Sequence, residues 1–292
     1  MKACEFTLER PLSIRQALDF KARWGDAARF LAGGQSLLPA VNMRLNSSEC
    51  LIDLNAIDAL RGICLKGDTL VIGALARHAE VVGSPLVRAA APVLVQAGRY
   101  LAHVAIRNRG TFGGSVALAD PAAEWPAACL LLGASMRVTG LAGSRDVPAA
   151  TFFKGMYMTD LAEDELLESV SIPSQPAGEA SCVLELARRR GDFASAGVMA
   201  RAREPGRPSN LRMVFFGVGD TALHDAKLNE AVQRKLEGGG IEEVGPLVTQ
   251  LMASHEIRGD LYTSAATKRY LCGVLARRAA NELMGLKPRN KS

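Results

Sequence analysis

The sequence predicts an α+β fold in two parts, and three observations lead there. Residues 1–55 alternate strand and helix patterns. Residues 56–175 add a hairpin, a helical stretch and more strands around a glycine-rich segment. After the proline- and glycine-rich stretch PSQPAGEA, the order changes to three strand patterns followed by three helical ones. The expected division is a first domain over 1–175, with subdomains of about 1–55 and 56–175, and a second over 176–292.

The elements follow in order. ACEFTL reads as a short strand. SIRQALDFKARWG reads as a helix: Ser13 caps it, Ile14, Ala17, Leu18 and Lys21 share helical spacing, and Gly25 stops it. ARFLAGG is a strand running into a glycine turn, SLLPAVNMR a short helix with Ser36 at its start, and ECLIDLN a strand. GICLKGDTLVIGAL is a hairpin pattern with Gly67-Asp68 between β-rich runs. A helical region spans about 80–102 and breaks near Gly83-Ser84-Pro85. IRNRGTFGGSVALADPAAEWPAACLLLGASMRVTG begins as a glycine-rich loop, becomes helical around Ala122–Leu131 and ends as a strand. ELLESVSIP is a strand ending at proline. SCVLELARR, SAGVMARAR and LRMVFFGVG are three strands, with AREPGRPSN turning between the last two. Helices over about 221–237, 241–255 and 260–284 would cover one face of their sheet.

Composition excludes several functions. Apolar residues make up 48%, enough to bury sizeable cores. The net charge of +5 is mild. The densest basic runs, Arg188–Arg190 and Lys287–Lys291, have no interleaved aromatics, so no nucleic-acid partner is expected. Cys4, Cys50, Cys64, Cys129, Cys182 and Cys272 form no C-x-x-C pair, and the four histidines are isolated. No iron–sulfur or zinc site is expected on this chain. Scattered thiols suit a reducing compartment. With neither a signal-peptide core nor a membrane span, a cytoplasmic protein is expected.

Two glycine pairs stand in similar settings: Ala32-Gly33-Gly34-Gln35-Ser36 and Thr111-Phe112-Gly113-Gly114-Ser115. Without a Cβ, successive N–H groups can turn toward a ligand at contact distance. Such concavities hold phosphate oxygens without a lysine. Two of them would grip the two phosphates of a dinucleotide from opposite sides. Glycine pairs are also common in ordinary turns, and spacing alone leaves both readings open. Neither the Rossmann fingerprint nor the P-loop motif occurs. Arg107 and Arg109 either meet phosphate or a partner, or tie the loop down. Trp24 and Trp125 are read as packing groups rather than ring-stacking ones.

AGGQSLLPAVNMR, RNRGTFGGSVALADPAAEWPA and RRRGDFASAG together resemble the FAD-binding medium subunit of molybdenum hydroxylases, the carbon monoxide dehydrogenase and xanthine dehydrogenase family. The resemblance runs over nearly the whole chain. It implies a two-subdomain FAD-binding domain of vanillyl-alcohol-oxidase (PCMH) type, followed by the family's C-terminal domain of a three-stranded sheet with three helices. It also implies FAD contacts from Ala32, Gly33, Gly34, Gln35, Ser36 and Leu37, and from Thr111, Phe112, Gly113, Gly114 and Ser115. Glu124, with Asp120 a second candidate, falls near the ribityl and ribose region. Leu166 or Leu167 falls on the adenine side, and Phe193 near the exposed flavin face. Many relatives carry a lysine where this chain has Leu184-Glu185.

The implied function is electron transfer, from 2Fe–2S clusters on a small subunit through FAD to an external acceptor. The molybdenum cofactor would sit on a large subunit, in a dimer of heterotrimers. Two alternatives are a self-contained FAD-dependent oxidase or reductase, and a binding protein that has lost the cofactor. The first needs acid–base residues that the C-terminal part does not offer, and the intact glycine pairs oppose the second.

Overall fold

The computed structural model describes residues 4–204 and 209–286. The first part builds β1 (Thr7–Glu9), α1 (Ile14–Trp24), β2 (Ala28–Leu31), α2 (Leu37–Asn42) and β3 (Cys50–Asp53). Next come β4 (Ile63–Lys66), β5 (Thr69–Gly73), α3 (His78–Gly83), α4 (Pro85–Ala90), α5 (Pro92–Ala97), α6 (Val104–Arg107), α7 (Phe112–Leu118) and α8 (Glu124–Leu132). β6 (Ser135–Gly140), β7 (Gly143–Pro148), α9 (Ala149–Phe152), β8 (Phe153–Gly155), β9 (Met158–Thr159) and β10 (Leu166–Pro173) complete that part. The C-terminal part holds β11 (Glu179–Leu186), β12 (Ala196–Arg203), β13 (Ser209–Phe216), α10 (Ala226–Glu237), α11 (Val244–Leu251) and α12 (Ala265–Leu283). The class is α+β, as expected.

β1, β3 and β2 form a parallel sheet in that order. The Ser13 hydroxyl accepts from the Gln16 amide to start α1, and Gly25 ends the helix at φ +54°. The buried Lys21 ammonium of α1 donates to the Gly25 and Ala28 carbonyls at 2.6 and 3.2 Å, so no bare charge is buried. β2 and β3 both point their C-terminal ends at the same edge. A ligand crevice commonly lies at that edge of a parallel sheet.

The second sheet is antiparallel in the order β4-β5-β10-β6-β7. The helical stretch after β5 breaks twice rather than once. Ser84 caps α4 ahead of Pro85, and Ala91 adopts φ −146°, ψ 64° ahead of Pro92. Proline lacks the amide a continuing helix needs, and it pushes the preceding residue out of helical geometry. The sequence reading missed the β6–β7 hairpin and the small β8–β9 pair.

The third sheet, β11-β12-β13, is antiparallel. Part of its expected β12–β13 turn falls on residues 205–208, outside the described residues, as do Ala3 of the first strand pattern and the basic run 287–291. Helices cover both sheet faces, not one. Cys182, Val198, Ala200, Met213 and Phe215 share a core with α10, α11 and α12. Val183, Met199, Val214 and Phe216 alternate with them and join the core of the second sheet, where α5 meets β11 and α8 meets β12 and β13. Gly197 makes this possible, because a Cβ there would lie 2.2 Å from the Phe216 ring.

Candidate functional site

A cavity of about 550 Å³ opens at the C-terminal edge of the parallel sheet, facing α7. Its walls include Ala32, Gly33, Gly34, Gln35, Ser36 and Leu37 on one side, and Thr111, Gly113, Gly114 and Ser115 on the other. Asp120, Glu124, Leu166, Leu167 and Phe193 line it too. The sequence reading placed Phe112 in the site as well, but its side chain is fully buried and packs on Trp125, with ring centroids 5.3 Å apart. Trp125 is fully buried, which settles it as a packing residue.

The two glycine segments are not equivalent. Among the described residues, the amides of Gly33, Gly34, Gln35, Ser36 and Leu37 donate to no backbone or side-chain acceptor. Five consecutive N–H groups are thus available in the cavity wall, with Gly34 at φ +72° bending the chain. The second pair lies inside the first turn of α7 rather than in a loop. Its amides are already used. Phe112 donates to the Ala76 carbonyl at 2.8 Å and Gly113 to the Ala74 carbonyl at 3.0 Å. Gly114 donates to Thr111 Oγ1 at 3.1 Å, and Ser115 to the Thr111 carbonyl at 3.1 Å. The second pair's amides are therefore spent within the fold, while those of the first have no acceptor among the described residues. Gly113 serves close packing instead: a Cβ would sit 2.5 Å from Ala74 Cα and Cβ.

The segments also touch each other. A Cβ on Gly33 would lie 2.4 Å from the Arg109 carbonyl oxygen and 2.7 Å from Gly110 Cα. Arg107 resolves as a loop tie, donating to the Leu101 and Ala102 carbonyls at 2.8 and 2.7 Å.

His78 lines the cavity and was not singled out by the sequence. Trp125 Nε1 donates to His78 Nδ1 at 2.9 Å. An indole N–H only donates, so His78 is neutral with its proton on Nε2. Burial, then the Arg77 and Arg107 charges, lower its pKa to about 4. Replacing Trp125 by phenylalanine is expected to leave Nδ1 buried and unpaired. Urea unfolding at neutral pH should then show a loss of about 1–3 kcal/mol; an unchanged unfolding free energy would remove the pair from the account.

Asp120 accepts from the Ala122 amide at 2.9 Å and the Tyr157 hydroxyl at 3.2 Å. Glu124 is buried, and burial first, then the Glu185 charge, raise its carboxyl to about 8. Asp192 and Phe193 turn between β11 and β12, and Phe193 is 62% exposed. With Asp120 they also line a second cavity of about 500 Å³. Among the described residues, no cluster of His, Cys, Asp and Glu is placed to hold a metal ion. No helix among them is long and apolar enough to cross a membrane.

Comparison with known proteins agrees with this geometry. The family described as the FAD binding domain in molybdopterin dehydrogenase matches residues 4–175. The carbon monoxide dehydrogenase medium chain of Hydrogenophaga pseudoflava is 35% identical, over 94% of this chain and 96% of that one. The caffeine dehydrogenase subunit beta of Pseudomonas sp. (strain CBB1) is 36% identical over 76% of each chain. The solved carbon monoxide dehydrogenase from Hydrogenophaga pseudoflava that lacks the Mo-pyranopterin moiety superposes with a TM-score of 0.91 at 34% identity, covering 98% of this chain and 99% of that one. The chain belongs to the FAD-binding domain family of the molybdopterin dehydrogenases and is a medium, electron-transferring FAD subunit of that oxidoreductase class.

Proposed function

We propose that the diphosphate of FAD lies against the amides of Gly33 to Leu37, with Thr111–Ser115 as the opposite wall. The row of five amides without an acceptor among the described residues, on residues that line the cavity, supports this assignment. Such a row binds anionic oxygens by fixed partial charges alone. The cavity volume lies within the range of cofactor sites. Asp120 and Glu124 then border the ribityl chain and ribose, Leu167 the adenine side, and Phe193 the exposed flavin face. The remaining cavity residues position the group and keep water from it.

Bound FAD supplies the capacity to collect electrons singly and release them to an external acceptor. The electrons would come from 2Fe–2S clusters on a small subunit, and the substrate would react at a molybdenum cofactor on a large one, in a dimer of heterotrimers. The relatives are named as a medium chain and a subunit beta, which supports a multi-subunit arrangement. The family match over residues 4–175 supports a boundary near residue 175, within the segment joining β10 to β11. Six free cysteines, four of them buried, suit the cytoplasm.

A visible absorption spectrum of the purified chain, followed by mass identification of released pigment, tests the reading. Flavin bands and released FAD are expected. A colourless preparation that takes up no added FAD, alone or with its partner subunits, would overturn it.

A further inference from the structure

Two side chains behind the cavity connect its two glycine segments. Asn55 lies in the short turn Leu54–Ala56 after β3, and its Nδ2 donates to the Ala32 carbonyl at 2.7 Å, at the entry to the amide row. The Asp53 carboxylate fixes the Asn55 amide, accepting from Nδ2 at 2.6 Å and from the backbone N–H at 3.0 Å. Arg77 Nη2 donates to Asn55 Oδ1 at 2.6 Å. Arg77 Nη1 donates to the Arg109 carbonyl, the same oxygen against which Gly33 packs. The path therefore runs from Ala32 through Asn55 and Arg77 to Arg109, joining residues 22 to 32 apart in sequence. Arg77 is also anchored at its backbone, where its amide donates to Glu80 Oε2 at 2.7 Å.

We infer that Asn55 and Arg77 are positioning residues for diphosphate binding: they hold the amide row of 33–37 at a fixed distance from the 109–111 wall. The inference rests on the FAD reading of this cavity. Guanidinium suits the role because its forked donors reach two acceptors at once, which an ammonium on a flexible stem does not do in one geometry. The primary amide of Asn55 suits it because one end accepts from Arg77 while the other donates to Ala32. An aspartate at 55 would keep the arginine contact, lose the donors to Ala32 and to Asp53, and set a second carboxylate beside that of Asp53.

The test uses the 292-residue chain freed of flavin, with ADP as a diphosphate probe and FAD in parallel, by titration calorimetry. Asn55→Asp and Arg77→Lys are each expected to weaken ADP about tenfold or more, as loss of one charge-assisted or buried hydrogen bond would. The double variant should be no worse than about twofold beyond the weaker single one, since both act in one path. Arg61→Ala is the control. Arg61 Nη2 donates to the Asn55 carbonyl at 2.5 Å but reaches neither segment, so its variant should bind ADP within about twofold of the parent. A general loss of stability would lower the melting temperature in all three and leave their affinities tracking it.

If Asn55→Asp and Arg77→Lys both bind ADP like the parent while FAD still binds, the positioning role is wrong. If the parent binds neither ADP nor FAD, the FAD reading has failed and takes this inference with it. If Arg77→Lys does not fold, Asn55→Asp decides alone, because it leaves the arginine paired.

Discussion

Replacing Gly33 by valine is expected to strip FAD from the protein while leaving a folded chain. The hydrogen at Gly33 Cα faces the backbone of the other segment. Any Cβ would lie 2.4 Å from the Arg109 carbonyl oxygen, 2.7 Å from Gly110 Cα and 3.0 Å from the Thr111 amide nitrogen. All three are backbone atoms, so no side-chain rotation can relieve the clash. The chain must move the segment carrying the free amides, and that movement misplaces five N–H groups together. Overpacking of this kind costs on the order of 1–3 kcal/mol, or more where backbone opposes it. That corresponds to affinity losses of about fivefold to over a hundredfold. The branched valine should lie at the upper end and alanine at the lower. Flavin content per chain after gel filtration measures it, with the melting temperature of the flavin-free protein as the folding check. Retention of FAD at parental stoichiometry in Gly33→Val would remove the first segment from the site.

Gly114→Ala should do less. Its Cβ would meet Thr111 Oγ1 at 2.6 Å, a hydroxyl on a rotatable side chain, and Ala32 Cβ at an ordinary 3.5 Å. Gly113→Ala should instead destabilise the fold, since its Cβ would strike Ala74 within a packed strand end. The expected split is thus loss of cofactor at Gly33 and loss of stability at Gly113.

This split marks the limit of what the sequence makes legible. Both glycine pairs have the same composition, so residue types alone suggest the same use. What separates them is where their amides point, and that is decided by Ala74 and Ala76, which take the amides of Gly113 and Phe112. Local signals read well where the cause is local, as with Ser13 and Gly25 around α1 or Gly67-Asp68 between β4 and β5. The membership of Asp120, Glu124, Leu167 and Phe193 in one cavity came through family resemblance, not through spacing. His78, Asn55 and Arg77 escaped both routes. Each is an isolated polar residue in the sequence, and each acquires its place through partners tens of residues away. The second covered face of the C-terminal sheet was visible in principle, because MVFF is apolar on both alternating sets.

The flavin-free protein is expected to lose stability as the pH rises from about 5 to 8, and Glu124→Gln to lose much less. Glu124 is 5% exposed in α8, where burial raises its carboxyl from 4.5 to about 8. In the unfolded chain it titrates near the ordinary value. Below about pH 4.5 it is protonated in both states, and its contribution to folding is fully present. Between 4.5 and 8 the unfolded chain releases the proton while the folded chain keeps it. Folding then becomes less favourable by about 1.4 kcal/mol per pH unit. Above 8 both states are ionised and the penalty levels off. Summed over the window, the effect is on the order of 4 kcal/mol, a large fraction of a typical domain's stability. Glutamine has nearly the same shape and cannot ionise, so its variant should gain most at the alkaline end and nothing near pH 4.5. Glu185, raised to about 7 by burial, contributes a second, shorter window, and its charge helps to raise Glu124. Glu185→Gln should therefore lower the pH at which the Glu124 penalty levels off, and the double glutamine variant should gain stability up to about pH 6.5, where the buried neutral His78 with its pKa near 4 contributes, and no longer fall above it. Urea midpoints at half-unit pH steps measure all four proteins. A Glu124→Gln variant that falls as steeply as the parent between pH 5 and 8 would show that Glu124 is ionised in the folded cavity wall.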